Sequence, residues 1–291
     1  MPKEPLSNGP SFDGQDLVTG SDGLPIREVG AWSKDKHHFL SRYIDAFTTA
    51  MAGKWAGLGY VDLFSGPGMC KVRDTAEEIE GSPLLALGSP RPFDLFAFAD
   101  VSTDALSAIQ RRFEAKGGPS SPLVYAGDCN ERIVDVTRDL PTGHLYLAFI
   151  DPTGLDVHFE TIRALTSHRK VDLIISFMDR LDLIRNIDIY HDRASPKLDL
   201  FLGASSNWRQ RYADLPNRSP ENITRMTLDA YREQLGAIGY KHFGQPKRIT
   251  GRAGAADTPF YLLLFASKHP LGAKLWNETS KKDRGGQRSL F

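Results

Sequence analysis

Short apolar runs that stop at an acidic residue or a glycine recur along this chain, separated by stretches in which apolar residues return every three or four positions. The runs Gly59 to Phe64, Phe93 to Ala99, Leu123 to Ala126, Leu145 to Ile150 and Val171 to Phe177 predict strands. The last is β-branched and apolar with little alternation, the pattern of a parallel strand covered by helices on both faces. Phe39, Leu40, Tyr43, Ile44 and Phe47 repeat at helical spacing behind Ser33, which fits an N-cap. Further helices are predicted to open at Ser82-Pro83, behind Ser102 with Ala105, Leu106, Ile109 and Phe113 on one face, and from about Asn130 to Leu140. Strand and helix thus alternate in a βαβ rhythm.

After residue 177 the rhythm changes. Residues 178–239 read as a helical insertion, with Glu221 to Leu235 as one of its helices. Two closing runs, Tyr240 to Ile249 and Phe260 to Ser267, flank a polar, glycine-rich loop from Thr250 to Asp257, which suits a hairpin rather than a crossover. The predicted fold class is α/β, with five parallel strands plus a terminal antiparallel hairpin and helices on both faces. Residues 1–30, rich in Gly, Pro, Ser and Asp, are expected to form an irregular N-terminal arm ahead of an α/β domain over 31–280. Residues 69–81 are expected as an inserted loop, and 281–291 as a basic C-terminal tail. No internal repeat is visible.

With 291 residues the chain is long enough to bury a large core without disulfides or metals. Its formal net charge is zero, so no global basic field points to nucleic acid, and only local patches remain as candidates. The two cysteines, Cys70 and Cys129, have no metal-ligand spacing, so no metal site is expected and a reduced setting is the simplest reading. No run approaches the roughly twenty apolar residues that span a bilayer, and the first residues carry no apolar signal core. A cytoplasmic protein without membrane contact is therefore expected.

Candidate chemistry sits at the strand ends, where an open parallel sheet forms its ligand crevice. Four carboxylates are candidates: Asp62, Asp100, Asp128 and Asp151. Asp100 ends the second strand, where a carboxylate accepts both ribose hydroxyl protons in dinucleotide folds; the alternative is that it begins the turn before the Ser102 helix. Gly66 and Gly68 follow the first strand, where the absence of side chains lets backbone turn sharply and approach a ligand. An ordinary tight turn is the competing reading.

Five parallel strands followed by an antiparallel pair resemble the class I S-adenosylmethionine-dependent methyltransferase fold. The resemblance implies S-adenosylmethionine as cofactor. It implies that Asp62 meets the cofactor's amino group, that Phe64, Gly66 and Gly68 form the loop beside its methionine carboxylate, and that Asp128 and Cys129 recognise adenine. A buried carboxylate satisfying loop amides is the alternative for Asp62, and a helix N-cap for Asp128. Asp151-Pro152-Thr153-Gly154 stands where amino-methyltransferases carry an acid or asparagine, two prolines and an aromatic. Asp151 is the candidate catalytic residue and Pro152 and Thr153 the candidate substrate contacts, while Gly154 cannot stack a base.

Trp32 and Lys36, Asp62 to Gly68, Gly81-Ser82-Pro83-Leu84, and Tyr261 to Gly272 followed by Trp276 resemble the three-Cys-motif partner protein family over roughly Trp32 to Trp276. The resemblance implies a separate three-cysteine-motif protein as partner, and assigns no catalytic residue. Lys241, Lys247, Arg248 and Arg252, with Lys281, Lys282, Arg284 and Arg288, are candidates to track phosphates, although surface solvation explains such clusters equally. Methyl transfer to an unidentified acceptor, with nucleic acid among the candidates, is the leading functional expectation. A non-catalytic scaffold and a nicotinamide-dependent oxidoreductase are its rivals. The enzymatic reading requires Asp62, Asp100 and Asp128 to gather around one cavity.

Overall fold

The computed structural model describes residues 17–73, 75–118, 121–192, 195–253 and 256–286. Its strands are β1 (Leu17–Thr19), β2 (Pro25–Val29), β3 (Leu58–Asp62), β4 (Met69–Val72), β5 (Glu78–Glu80), β6 (Leu95–Asp100), β7 (Leu123–Ala126), β8 (Leu145–Ile150), β9 (Lys170–Phe177), β10 (His242–Phe243), β11 (Lys247–Ala253) and β12 (Ala256–Ser267). The helices are α1 (Ser33–Met51), α2 (Ser82–Leu87), α3 (Thr103–Ala115), α4 (Cys129–Asp139), α5 (Phe159–Thr166), α6 (Ile184–Asp192), α7 (Pro196–Leu202), α8 (Trp208–Ala213), α9 (Pro220–Ala237) and α10 (Pro270–Thr279).

The main sheet runs β10-β12-β9-β8-β3-β6-β7, with β11 also pairing β12. From β7 through β6, β3 and β8 to β9 every pairing is parallel, and β12 then joins β9 antiparallel. This is a Rossmann-like α/β sheet with the five parallel strands and terminal antiparallel hairpin that the sequence predicts. The sheet interior is continuous with helix faces such as Tyr43, Ile44 and Phe47 of α1 and Ile109 and Phe113 of α3, all fully or almost fully buried. Among the described residues no helix is long and apolar enough to cross a membrane.

Four local expectations are corrected. Residues 17–29, expected within an irregular arm, form β1 and β2, joined through a turn in which the Gly20 amide donates to Leu24. Residues 1–16 lie outside the described residues. The 69–81 segment is a β-hairpin, not a loop: β4 pairs antiparallel with β5 and parallel with β2, giving a second sheet in the order β1-β2-β4-β5. The terminal hairpin extends to Ala253 and Ala256, so most of the expected 250–257 loop continues the ladder past a register shift at Ile249/Thr250. Ser33 is the first residue of α1, and its expected capping role is absent.

One buried cation fastens the small sheet to the large domain. The Arg112 guanidinium on α3 reaches both Asp22 oxygens at 2.8 and 2.9 Å, and also the carbonyls of Pro25 at 2.8 Å and Pro67 at 2.6 Å. Arginine's planar fork suits such a multi-acceptor site. The N-terminal hairpin is thereby tied to the glycine loop after β3.

Candidate functional site

The strand order reverses on either side of β3, and the crevice outside its carboxyl end is where open α/β sheets bind ligands. A cleft with two lobes occupies that place. The deep lobe has a volume of about 160 Å³ and is lined by the Gly66–Gly68 loop, Lys36, Asp151 and Tyr261. The open lobe, of about 630 Å³, is lined by Asp100, Val101, Asp128, Cys129, Asp182 and Lys197 among others. Arg27, Trp32, Phe64, Arg73, Thr153 and Leu181 belong to both, which makes the two lobes one cleft.

The glycine loop takes its shape from backbone conformations that L side chains rarely adopt: Gly66 has φ +60° and Gly68 φ +86°. The Gly66 amide donates to Asp100 Oδ2 at 2.8 Å, and the Ser102 amide donates to Oδ1 at 2.9 Å. Arg27, reaching across from β2, lies 3.5 Å from Oδ2. Asp100 therefore shapes the turn and lines the cleft at once. Each carboxylate oxygen has two lone-pair directions, so acceptor capacity toward the open lobe remains.

Asp62 is the correction. Its carboxylate is fully buried beneath the loop, where Oδ1 accepts from the Phe64 amide at 3.1 Å and Oδ2 from the Ser82 hydroxyl at 2.6 Å. It lines neither lobe. Burial pushes its pKa up to about 7, against the pull of the Ser82 and Phe64 hydrogen bonds. The expected contact with a cofactor amino group gives way to a role in holding the loop. Of the three carboxylates expected around one cavity, Asp100 and Asp128 are there and Asp62 is not, so the three-carboxylate requirement is not met and an enzymatic reading rests on Asp100 and Asp128 alone.

Asp128 is the N-cap of α4, with Oδ1 accepting from the Asn130 amide at 2.8 Å, and it faces the open lobe as well. Cys129 beside it is buried, and burial, with the Asp128 charge adding, pushes its thiol up to about 12. Burial likewise raises Cys70, in the deep lobe, to about 11. Neither thiol has thiolate character at neutral pH. Val101 is 62% exposed although apolar, and it offers the open lobe a hydrophobic face beside Asp100.

Asp151 stands at the end of β8, bonded by the Lys36 ammonium on one oxygen and by the Ser176 hydroxyl on the other. Burial alone would lower the Lys36 pKa, yet Asp151 and Tyr261 more than reverse this and hold it above its ordinary value. His37, the next residue on α1, is pushed down to about 3 by burial and by the Lys36 charge, and stays neutral. Pro152 and Thr153 line the deep lobe. At Gly154 a β-carbon would come within 2.8 Å of Asp182 Oδ2. The helical insertion thus fills the space that an aromatic residue would need.

That insertion enters through a π-helical turn, Asp179–Leu183. Asp182 accepts from the Leu155 amide at 3.0 Å and from Asn186 Nδ2 at 2.9 Å, and Lys197 bridges it to Asp156 at 3.1 Å each. Burial would raise Asp182, but Tyr190, Asn186 and Lys197 hold it below its ordinary value. Arg27, Ser176 and Asp182 were absent from the sequence reading of the site, and Lys36 stood there only for a family likeness. One signal was legible: Leu17-Val18-Thr19 and Ile26 flank Gly20-Ser21-Asp22-Gly23, a hairpin pattern that would have placed Arg27 on a strand.

Four of the eight basic candidates are paired or buried. Arg248 turns inward and holds Asp179 at 2.6 and 2.8 Å, and Lys247 is 3% exposed. Lys281 pairs with Glu278 and Arg284 with Asp35. Arg288 and the side chain of Arg252 lie outside the described residues.

No protein-family model and no curated protein matches the sequence. Solved structures do. A protein from Legionella pneumophila is 14% identical, with 84% of this chain and 90% of that one covered and a TM-score of 0.45. The O-methyltransferase TomG from Streptomyces achromogenes, in complex with SAM, is 12% identical over 83% and 82% of the chains, with a TM-score of 0.43. An O-methyltransferase from Bacillus cereus, in complex with SAH, is 9% identical over 80% of each, also at 0.43. At these identities and TM-scores no residue role passes from them to this chain. None of the comparisons bears on a three-cysteine-motif partner.

Proposed function

We propose that this chain is an S-adenosylmethionine-dependent methyltransferase. The observation that carries the reading is the cleft on the carboxyl edge of the parallel strands, in which a positive-φ glycine loop, the carboxylates of Asp100 and Asp128, the cations of Arg27 and Arg73 and an apolar face converge. The donor set suits a zwitterionic nucleoside. Asp100 offers lone pairs to ribose hydroxyls, Asp128 to an exocyclic amine, and Val101 and Cys129 an apolar wall to a ring, while Arg27 and Arg73 offer cations to a carboxylate. Such a cofactor, when bound, supplies an electrophilic methyl group on a sulfonium. The residues of the chain bind and orient it, and Asp151 faces the acceptor from the deep lobe.

Titration calorimetry with S-adenosylmethionine and with S-adenosylhomocysteine tests this. Heat of binding is expected for both, weakened at least tenfold by Asp100→Ala. Absence of heat at millimolar ligand, with the protein folded, would refute it.

The Lys36–Asp151 pair favours a second reading, in which the carboxylate is a structural anchor and the chain is a scaffold for a three-cysteine-motif protein. Partner binding that persists in Asp151→Ala, without methyl transfer by the wild type, is what that reading requires.

A further inference from the structure

Three polar groups in the deep lobe are left with hydrogen-bonding capacity. The Tyr261 hydroxyl and His37 Nδ1 are buried and have no hydrogen-bond partner among the described residues. The Lys36 side chain is 12% exposed, carries three N–H donors, and has Asp151 as its one hydrogen-bond partner among the described residues. Buried polar groups with unused hydrogen-bonding capacity are costly and rare, and the three residues that carry these groups line one small cavity, in which the Lys36 ammonium has donors to spare. The same cavity is lined by two carboxylates, Glu28 and Asp151, of which Asp151 stands beside Lys36, fixed through both oxygens yet retaining lone pairs toward the lobe.

We propose that the deep lobe receives a hydroxyl group and that the atom methylated is its oxygen; this rests on the methyltransferase reading above. A hydroxyl oxygen has two lone pairs and one proton. One lone pair attacks the methyl carbon, the other accepts from Lys36, and the proton is directed at Asp151. An amine or ring nitrogen has a single lone pair, which the attack consumes, so Lys36 would face no acceptor. A hydroxyl oxygen takes on alkoxide character beside the Lys36 ammonium as its proton leaves for Asp151, and the transfer then neutralises it to an ether, whereas an amine nitrogen builds positive charge beside that ammonium as it attacks. Gly154 supplies no ring to hold a base, and Asp182 occupies the space beside it.

The atoms balance as follows. The acceptor O–H bond breaks and its proton goes to Asp151; the new O–C bond forms as the S–C bond breaks, with the electron pair of that bond remaining on sulphur. Lys36 stays an ammonium throughout. It is the electrostatic partner of the forming ether oxygen, and the carboxylate is the proton acceptor, which later returns the proton to water.

The test has three parts on the full chain. Calorimetry first establishes binding of S-adenosylmethionine; if it fails, the parent reading falls and the acceptor question falls with it. A protein that binds is then given [methyl-13C]-S-adenosylmethionine with cellular RNA in one arm and with the low-molecular-weight fraction of an extract in the other, and the methyl carbon is located by NMR of the digested product. An O-methyl signal is expected, and the arm in which it arises separates a ribose hydroxyl from a free small molecule. An N-methyl signal, or no transfer in either arm by a donor-binding protein, would overturn the proposal. Independently of turnover, the Lys36 ammonium is followed by 15N NMR against pH in the wild type, with Lys36→Met to assign it. It is expected to remain protonated through pH 9; titration below pH 8 would make it a neutral base and overturn its assigned part.

Discussion

Asp62 gives a stability signature that can be worked from its surroundings. The carboxyl is fully buried, and its pKa is raised from 3.8 in the unfolded chain to about 7 in the fold. The native state therefore holds a proton that the unfolded state releases. The sign follows: the stabilisation is complete below pH 3.8 and is lost as pH rises through 7. Between pH 5 and pH 8 the linkage relation, at about 1.4 kcal/mol per pKa unit, gives a loss of about 2.5 kcal/mol. Asp62→Asn removes the titration but keeps the shape. Its amide oxygen accepts from Phe64, and the Ser82 hydroxyl, able to donate or accept, turns to meet the amide N–H. Asp172, also buried and raised to about 6, titrates in both proteins and cancels in the difference. Urea unfolding of wild type and Asp62→Asn at steps from pH 5 to pH 8 is the assay. The stability difference is expected to move by about 2.5 kcal/mol in favour of the variant as pH rises. Curves that stay parallel to within about 0.5 kcal/mol would refute the buried-proton argument.

Arg112→Met strips four hydrogen bonds from the tie between the small sheet and the glycine loop, and is expected to cost about 3 kcal/mol and to expose residues 17–30 to limited proteolysis. Arg248→Met leaves the fully buried Asp179 with Thr224 at 3.0 Å and Arg180 at 3.6 Å, and is expected to lower stability by about 3 kcal/mol, read by denaturant unfolding. Gly154→Ala drives a β-carbon against Asp182, so a loss of about 1–3 kcal/mol is expected, partly relieved when Asp182→Ala is added; additive effects in that double-mutant cycle would contradict the contact. In the calorimetric experiment on the cofactor, Asp128→Asn is expected to weaken binding less than Asp100→Ala, because Asn preserves the cap on α4.

Apolar periodicity and turn residues sufficed for the order and type of the main-sheet strands, because a parallel strand covered on both faces must read as an uninterrupted apolar run. The same local signals put Gly66, Gly68, Asp100, Asp128 and Asp151 at strand ends, where the crevice rule applies. Local signals did not say which way a carboxylate points. Asp62 and Asp100 both close apolar strands, yet one is sealed under the loop by Ser82 and Phe64 while the other opens on the cleft beside Arg27. That difference depends on residues far along the chain. Likewise Lys36 finds Asp151 across 115 positions, and Arg27 reaches the cleft because β2 pairs with β4 and Arg112 pins the hairpin. Sequence spacing sets what a segment can become on its own. The partner of a charged side chain is set by which distant backbone arrives beside it, and only the packed fold decides that.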